Sequence, residues 1–144
     1  MNAKIGLASS FIAKLAQRDV SGALALAQPD SRVHILPLNV QGLLSREGRA
    51  FFDELLGAFP DLHLRARRVF AGSDGTVVAE ITIDGTQAGA FLGVINQEKH
   101  VDLDAAWLVR VRDGAIEELK MFWCQNQLYR RLAVRRLDRI TITA

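Results

Sequence analysis

Few side chains in this sequence have the type and spacing for chemistry, and most of them also have a plain structural use. Cys124 is the single cysteine. A nucleophilic thiol needs a base or a positive neighbour to form thiolate, and Trp123 and Gln125 offer neither. An inert, buried cysteine is the expectation. The histidines at 34, 63 and 100 have no metal-ligand spacing. His34 lies among apolar neighbours in "SRVHIL". Because imidazole titrates near neutrality, His34 is the candidate proton carrier or orienting group, with a satisfied structural histidine as the plainer role. Asp102 and Asp104 form a D-x-D pair, a pattern that metal sites use. Arg110 and Arg112 fall on the same strand face, so ion pairing is expected. Gly85, Gly89 and Gly93 recur every four residues, which is neither a dinucleotide fingerprint nor a phosphate loop. They read as turns and a bulge. No metal site and no cofactor are expected.

A second kind of candidate is an apolar wall. In "IEELKMFWC", Leu119, Met121 and Trp123 alternate with Glu118 and Lys120. That alternation needs a sheet wetted on one side and covered on the other. On the preceding strand the same parity sends Val101, Leu103, Ala105, Trp107 and Val109 inward. If the covered side is open, its wall is almost wholly apolar. If it has collapsed, Trp107 and Met121 fill it, as aromatic and methionine stripes usually do. Gln125 and Asn126 follow where the mouth of such a cavity would be.

The elements that must position these residues come in a simple order. Apolar spacing predicts a helix over 4–17 and a short one in "VSGALALAQ", broken by "QPD" at 28–30. "SRVHIL" reads as a short strand. "SREGRAFFDELLGAF" is a helix with a capping signature in Ser45 and Glu47, ended by Pro60. Strands follow at 62–71, 76–84, 99–112 and 115–124, with "GSDG" and "RDG" as turns. A last helix covers 125–133, and "RITITA" adds an extended tail. Helices first and hairpin-linked strands afterwards argue an α+β fold with an antiparallel sheet covered on one face by the early helices.

Composition sets outer limits. At 144 residues the chain reads as one domain, 1–144, able to bury roughly two-thirds of its unfolded surface. The net charge of +2 implies no strong attraction to nucleic acid or membrane. Arg65, Arg67 and Arg68, with Arg130, Arg131, Arg135, Arg136 and Arg139, are the basic clusters, and only Tyr129 is near enough to interleave. A solvated face is expected, with no nucleic-acid partner. No window approaches 18 unbroken apolar residues, and "MNAKIGLASSFIAKLAQRDV" lacks the continuous apolar stretch of a signal peptide. One cysteine makes no intrachain disulfide. A cytoplasmic domain is expected.

"AFPDL" at 58–62, "GTQAGAFLG" at 85–93, "VRVRDGAIEE" at 109–118 and the closing "LYRRLAV" come in the order and spacing of one family. The chain resembles the SnoaL-like polyketide cyclases of the nuclear-transport-factor-2-like superfamily. The resemblance implies a strongly bent antiparallel sheet enclosing a cone-shaped cavity, and a homodimer paired through the sheet's outer face. It also implies an acid–base enzyme, with a histidine before the "RDG" hairpin and an aspartate after it. Those places fall at Trp107 and Met121, which carry no protons. The family's frequent histidine in the "GTxxG" turn is Gln87 here, and an aspartate common near the end of the last strand is Cys124. The acidic base that related isomerases place beyond the first strand falls near Ile35 or Leu36.

The expected function is therefore ring closure of a hydrophobic, polyketide-like small molecule in natural-product biosynthesis, without the family's His/Asp pair. Conformational or pericyclic steering would need no proton carrier. The alternative is a non-catalytic binding protein of the same fold. The substrate-binding candidates are Trp107, Met121, Leu119, Trp123 and Cys124, with His34 as the one catalytic candidate. The expectation adopted is the open pocket, with Trp107 as a flat wall and Met121 as an adaptable floor.

Overall fold

The computed structural model describes residues 2–134, so "RITITA" lies outside the described residues. The chain opens with α1 (Ala3–Ala16), an alanine-rich helix that buries Ala8, Phe11, Ile12 and Leu15 on one stripe. The Asn2 side chain caps it by accepting the Lys4 N–H at 2.8 Å. The chain turns at Arg18, whose φ is 65°. Asp19 then caps the short α2 (Val20–Leu24) by accepting the Gly22 N–H.

β1 (Ala27–Ile35) starts earlier than the sequence suggests. Proline removes a ladder donor and was expected to break the chain here. Instead, Pro29 falls where the pairing of β1 with its neighbour shifts register, between Ala27 and Arg32. The strand continues around it. A 3-10 turn (Leu36–Leu38) and a left-handed Asn39 lead into β2 (Val40–Leu43), a short strand the periodicity does not announce.

A π-helical turn (Leu44–Gly48) precedes α3 (Arg49–Ala58). The expected capping box does not form, because Ser45 and Glu47 are two residues apart rather than the three it requires. The Glu47 carboxylate reaches back instead and accepts the Leu43 N–H at 3.0 Å. α3 buries Phe51, Phe52, Leu55 and Leu56. Its last carbonyls are held from α1's end. The Arg18 guanidinium donates to the carbonyls of Leu56 at 2.6 Å and Pro60 at 3.2 Å.

The remaining strands are β3 (His63–Ala71), β4 (Val77–Thr86), β5 (His100–Arg112) and β6 (Ala115–Trp123), followed by α4 (Gln125–Arg131). The β5–β6 hairpin turns on Asp113 and Gly114, both left-handed at φ 53° and 77°, as a two-residue loop requires. The six strands form one curved, unclosed sheet in the order β2-β1-β6-β5-β4-β3. Four of its pairings are antiparallel, as expected. β1 and β6 run parallel. Most of the chain lies between these two strands, so no hairpin dictates their direction. Alternation is strict where the helices cover the sheet, with β4 and β5 each burying every second residue.

Removing the Arg18 side chain should free the C-terminal carbonyls of α3. Arg18→Ala is expected to cost about 1 kcal/mol, since the guanidinium is exposed and its bonds compete with water. Urea denaturation with an unchanged slope would measure it.

Candidate functional site

The covered face of the sheet is closed by aromatic packing. Trp107 and Met121 are direct register partners across β5 and β6, and Ile35 adjoins Met121 from β1. Trp107 packs between Phe11 of α1 and Phe52 of α3, with ring centroids 6.4 and 5.9 Å away. Its exposure is 1 % and that of Met121 and Leu119 is 0 %. The space left beside Trp107 is about 10 Å³, one water molecule at most. The expected open cone is thus filled at this depth. Two helices bring large aromatic rings onto the positions where the resemblance implies an acid–base pair. The Trp107 Nε1–H has no hydrogen-bond partner among the described residues.

His34 does not face this space. Val33 and Ile35 are buried while His34 is half-exposed, with Gln41 and Lys120 beside it in register on the outer face. Strand parity excludes it from any cavity on the covered side. Cys124 is exposed rather than buried. The strand ends at Trp123, and Cys124 becomes the N-cap of α4, its Sγ accepting the Gln127 N–H at 3.4 Å. Gln87 is buried and organises the loop after β4. Its amide donates to the carbonyls of Gly89, Val94 and Ile95 and accepts the Gln97 N–H. Asp104 pairs with Arg67 at 3.4 Å. The expected partners Arg110 and Arg112 reach Glu118 and Glu117 instead, because they lie further along β5, opposite β6. Among the described residues no group of three acids, histidines or cysteines could hold a metal ion.

A larger space than the one beside Trp107 lies at the mouth. A pocket of about 410 Å³ opens between the 3-10 turn, α3 and α4, within the size range of small-molecule sites. Its apolar wall includes Ile35, Pro37, Leu38, Val40, Phe51 and Leu92. Its polar groups are Glu47, Glu54, Gln125 and Tyr129. Hydrogen bonding to the Arg46 guanidinium holds the Glu47 carboxyl below the usual carboxylate range. Glu54 accepts only a long bond, 3.4 Å, from the Leu92 N–H. Phe51 stacks on Trp123 at 5.5 Å and 17°, and the same Phe51 borders a smaller inner void of about 20 Å³. Trp123 is therefore the one substrate-binding candidate whose ring backs a wall of this pocket, through Phe51. Sequence reasoning placed Gln125 at the mouth but missed Glu54 and Tyr129. The signal was spacing: Ala50 and Glu54 on α3, and Gln125 and Tyr129 on α4, are each four apart and share a helix face.

Residues 7–132 match the SnoaL-like polyketide cyclase family. The chain belongs to that family. Solved structures share its fold. AclR of Streptomyces galilaeus is 25% identical, over 90% of this chain and 95% of its own, with a TM-score of 0.77. A SnoaL-like protein of Jannaschia sp. CCS1 is 21% identical, over 93% and 94%, at 0.82. IdmH of Streptomyces antibioticus is 19% identical, over 91% and 99%, at 0.75. No curated protein sequence matches the chain significantly. Among the described residues no helix is long and apolar enough to cross a membrane.

With the covered face sealed, Trp107→Ala should cost roughly 3–5 kcal/mol and Met121→Ala about 2–5 kcal/mol. Melting temperatures should fall by on the order of 10 °C. Thermal melts of both variants with a hydrophobic ligand present should show no rescue at these sites.

Proposed function

We propose that this protein binds an apolar, polyketide-like molecule in the mouth pocket and promotes its ring closure by holding it in a reactive conformation. The observation that carries this reading is a contrast in depth. The positions where the resemblance implies a proton-transfer pair are packed by the buried Trp107 and Met121, while about 410 Å³ remains at the mouth behind a mainly apolar wall. An intramolecular closure has both reacting ends in one molecule, so alignment alone removes much of the entropic barrier. A proton transfer, where the closure needs one, falls to Glu54, since Glu47 is tied to Arg46 and Leu43. With two carboxylates on the pocket wall, uncharged ligands are favoured over anions. The packed aromatic centre also supports a second reading, a binding protein without catalysis. Incubation with a polycyclic β-keto ester that carries a ketone or aldehyde within reach of its enolisable carbon, with the isomeric ring product resolved by chromatography before mass spectrometry, separates the two.

The pocket assignment has its own test. Ala50 is exposed and lines the pocket from α3, so Ala50→Trp should fill it without disturbing the core. The expected result is loss of ligand binding, and of any turnover, with the melting temperature changed by only a few degrees. Full binding in a folded A50W variant would move the site elsewhere.

We further propose a homodimer formed through the outer face of the sheet. Val78, Ala106, Leu108 and Phe122 are half-exposed there and adjacent in register, between charged neighbours. Sedimentation should give twice the 15.9 kDa chain mass at tens of micromolar; a monomer at that concentration would refute it.

A further inference from the structure

We infer that Tyr129 is a hydrogen-bond donor held ready for a carbonyl oxygen of the ligand, and that Trp123 and Gln125 fix its sense. The inference rests on the mouth pocket being the binding site. It adds a ligand class, an apolar ring system bearing a neutral ketone or ester carbonyl.

The argument follows from what each group can do. The Trp123 indole N–H only donates. It lies 2.7 Å from one end of the Gln125 side chain, so that end is the carbonyl oxygen. The other end must then be the amide NH2, which only donates. It lies 2.9 Å from the Tyr129 hydroxyl, so the phenol oxygen accepts there. A phenol has one proton, and Gln125 has no acceptor left for it. Among the described residues nothing else takes that proton, and both Gln125 and Tyr129 line the pocket. The chain Trp123–Gln125–Tyr129 therefore runs in one direction and ends in a donor at the cavity wall. A carbonyl-bearing ligand completes it. A hydrocarbon of the same shape leaves the phenol proton without a partner when it displaces water, which is where selectivity arises.

Gln125 is the positioning residue, and its replacement by a carboxylate is the informative change. In Gln125→Glu, both side-chain oxygens accept. One keeps the Trp123 bond and the other takes the Tyr129 proton, so the donor is lost although the tyrosine remains.

Two shape-matched probes, 2-acetylnaphthalene and 2-isopropenylnaphthalene, test this by equilibrium dialysis against the full chain. Tyr129→Phe should weaken the ketone roughly three- to tenfold, the worth of one neutral hydrogen bond, and should not weaken the hydrocarbon, which then strands no phenol proton. Gln125→Glu should do the same. If the ketone is unaffected by either change while both probes bind, the donor assignment is overturned and the pocket reading stands. If neither probe binds the wild type, the pocket reading fails. The donor assignment is then decided by the phenol itself, since Tyr129 is the only tyrosine in the chain. Its Raman doublet should report an accepting and donating phenol in the wild type and a donor-only phenol in Gln125→Glu. Identical doublets in the two proteins would overturn the assignment whatever the probes do.

Discussion

The packing of Trp107 between Phe11 and Phe52, with Met121 beside it, is the contact on which the rest of the structure depends. A bent sheet leaves a hollow on its covered face, and something must fill it. Burying an indole removes about 150–250 Å² from water, worth roughly 4–6 kcal/mol at the usual coefficient. Leaving its N–H unpaired costs about 1–3 kcal/mol. The gain exceeds the cost, so an unsatisfied Trp107 Nε1 is tolerable in the centre of the fold. The same contact joins α1, α3, β5 and β6 at one point. Helix placement, strand register and the depth of the remaining cavity are thus set together.

Filling the centre moves the usable space outward, to a region built from short and irregular pieces. The 3-10 turn, the left-handed Asn39, the brief β2 and the π-helical turn all lie between Leu36 and Gly48. Irregular backbone needs side chains to hold it. Glu47 does this by accepting the Leu43 N–H and folding over Gly42, where a larger residue would collide with its carboxylate. Gln87 does the same for the loop that presents Phe91 and Leu92. At the place where the family resemblance implies a histidine, this chain has an amide whose bonding capacity is spent on backbone. Polar residues here serve shape first, and few are left over for a ligand.

The regular parts of the fold were legible because periodicity reports burial directly. β4 and β5 alternate strictly, and the positions assigned to the covered face on β5 are all buried. What periodicity cannot report is what closes over that face. Phe11 and Phe52 are ordinary core positions of two amphipathic helices, and nothing local shows that they converge on Trp107. Direction was equally invisible for β1 against β6, since parallel pairing is fixed by the path of the chain between them. His34 misled for a simpler reason. Its apolar neighbours suggested burial, yet a strand alternates faces whatever the neighbours are, and Val33 and Ile35 had already taken the inner side.

The site was less legible than the fold because its chemistry is relational. No residue type in "WCQNQLY" announces a directed donor. Trp123 is a donor in any setting, and Gln125 alone is ambiguous, presenting either end to either neighbour. Tyr129 alone both donates and accepts. Only the two distances, 2.7 Å on one side of the amide and 2.9 Å on the other, convert three unspecific side chains into a chain with one sense. The indole fixes the amide, and the amide fixes the phenol. A sequence shows that such residues are four apart on a helix, but the polarity of the pocket wall is settled by which atom meets which.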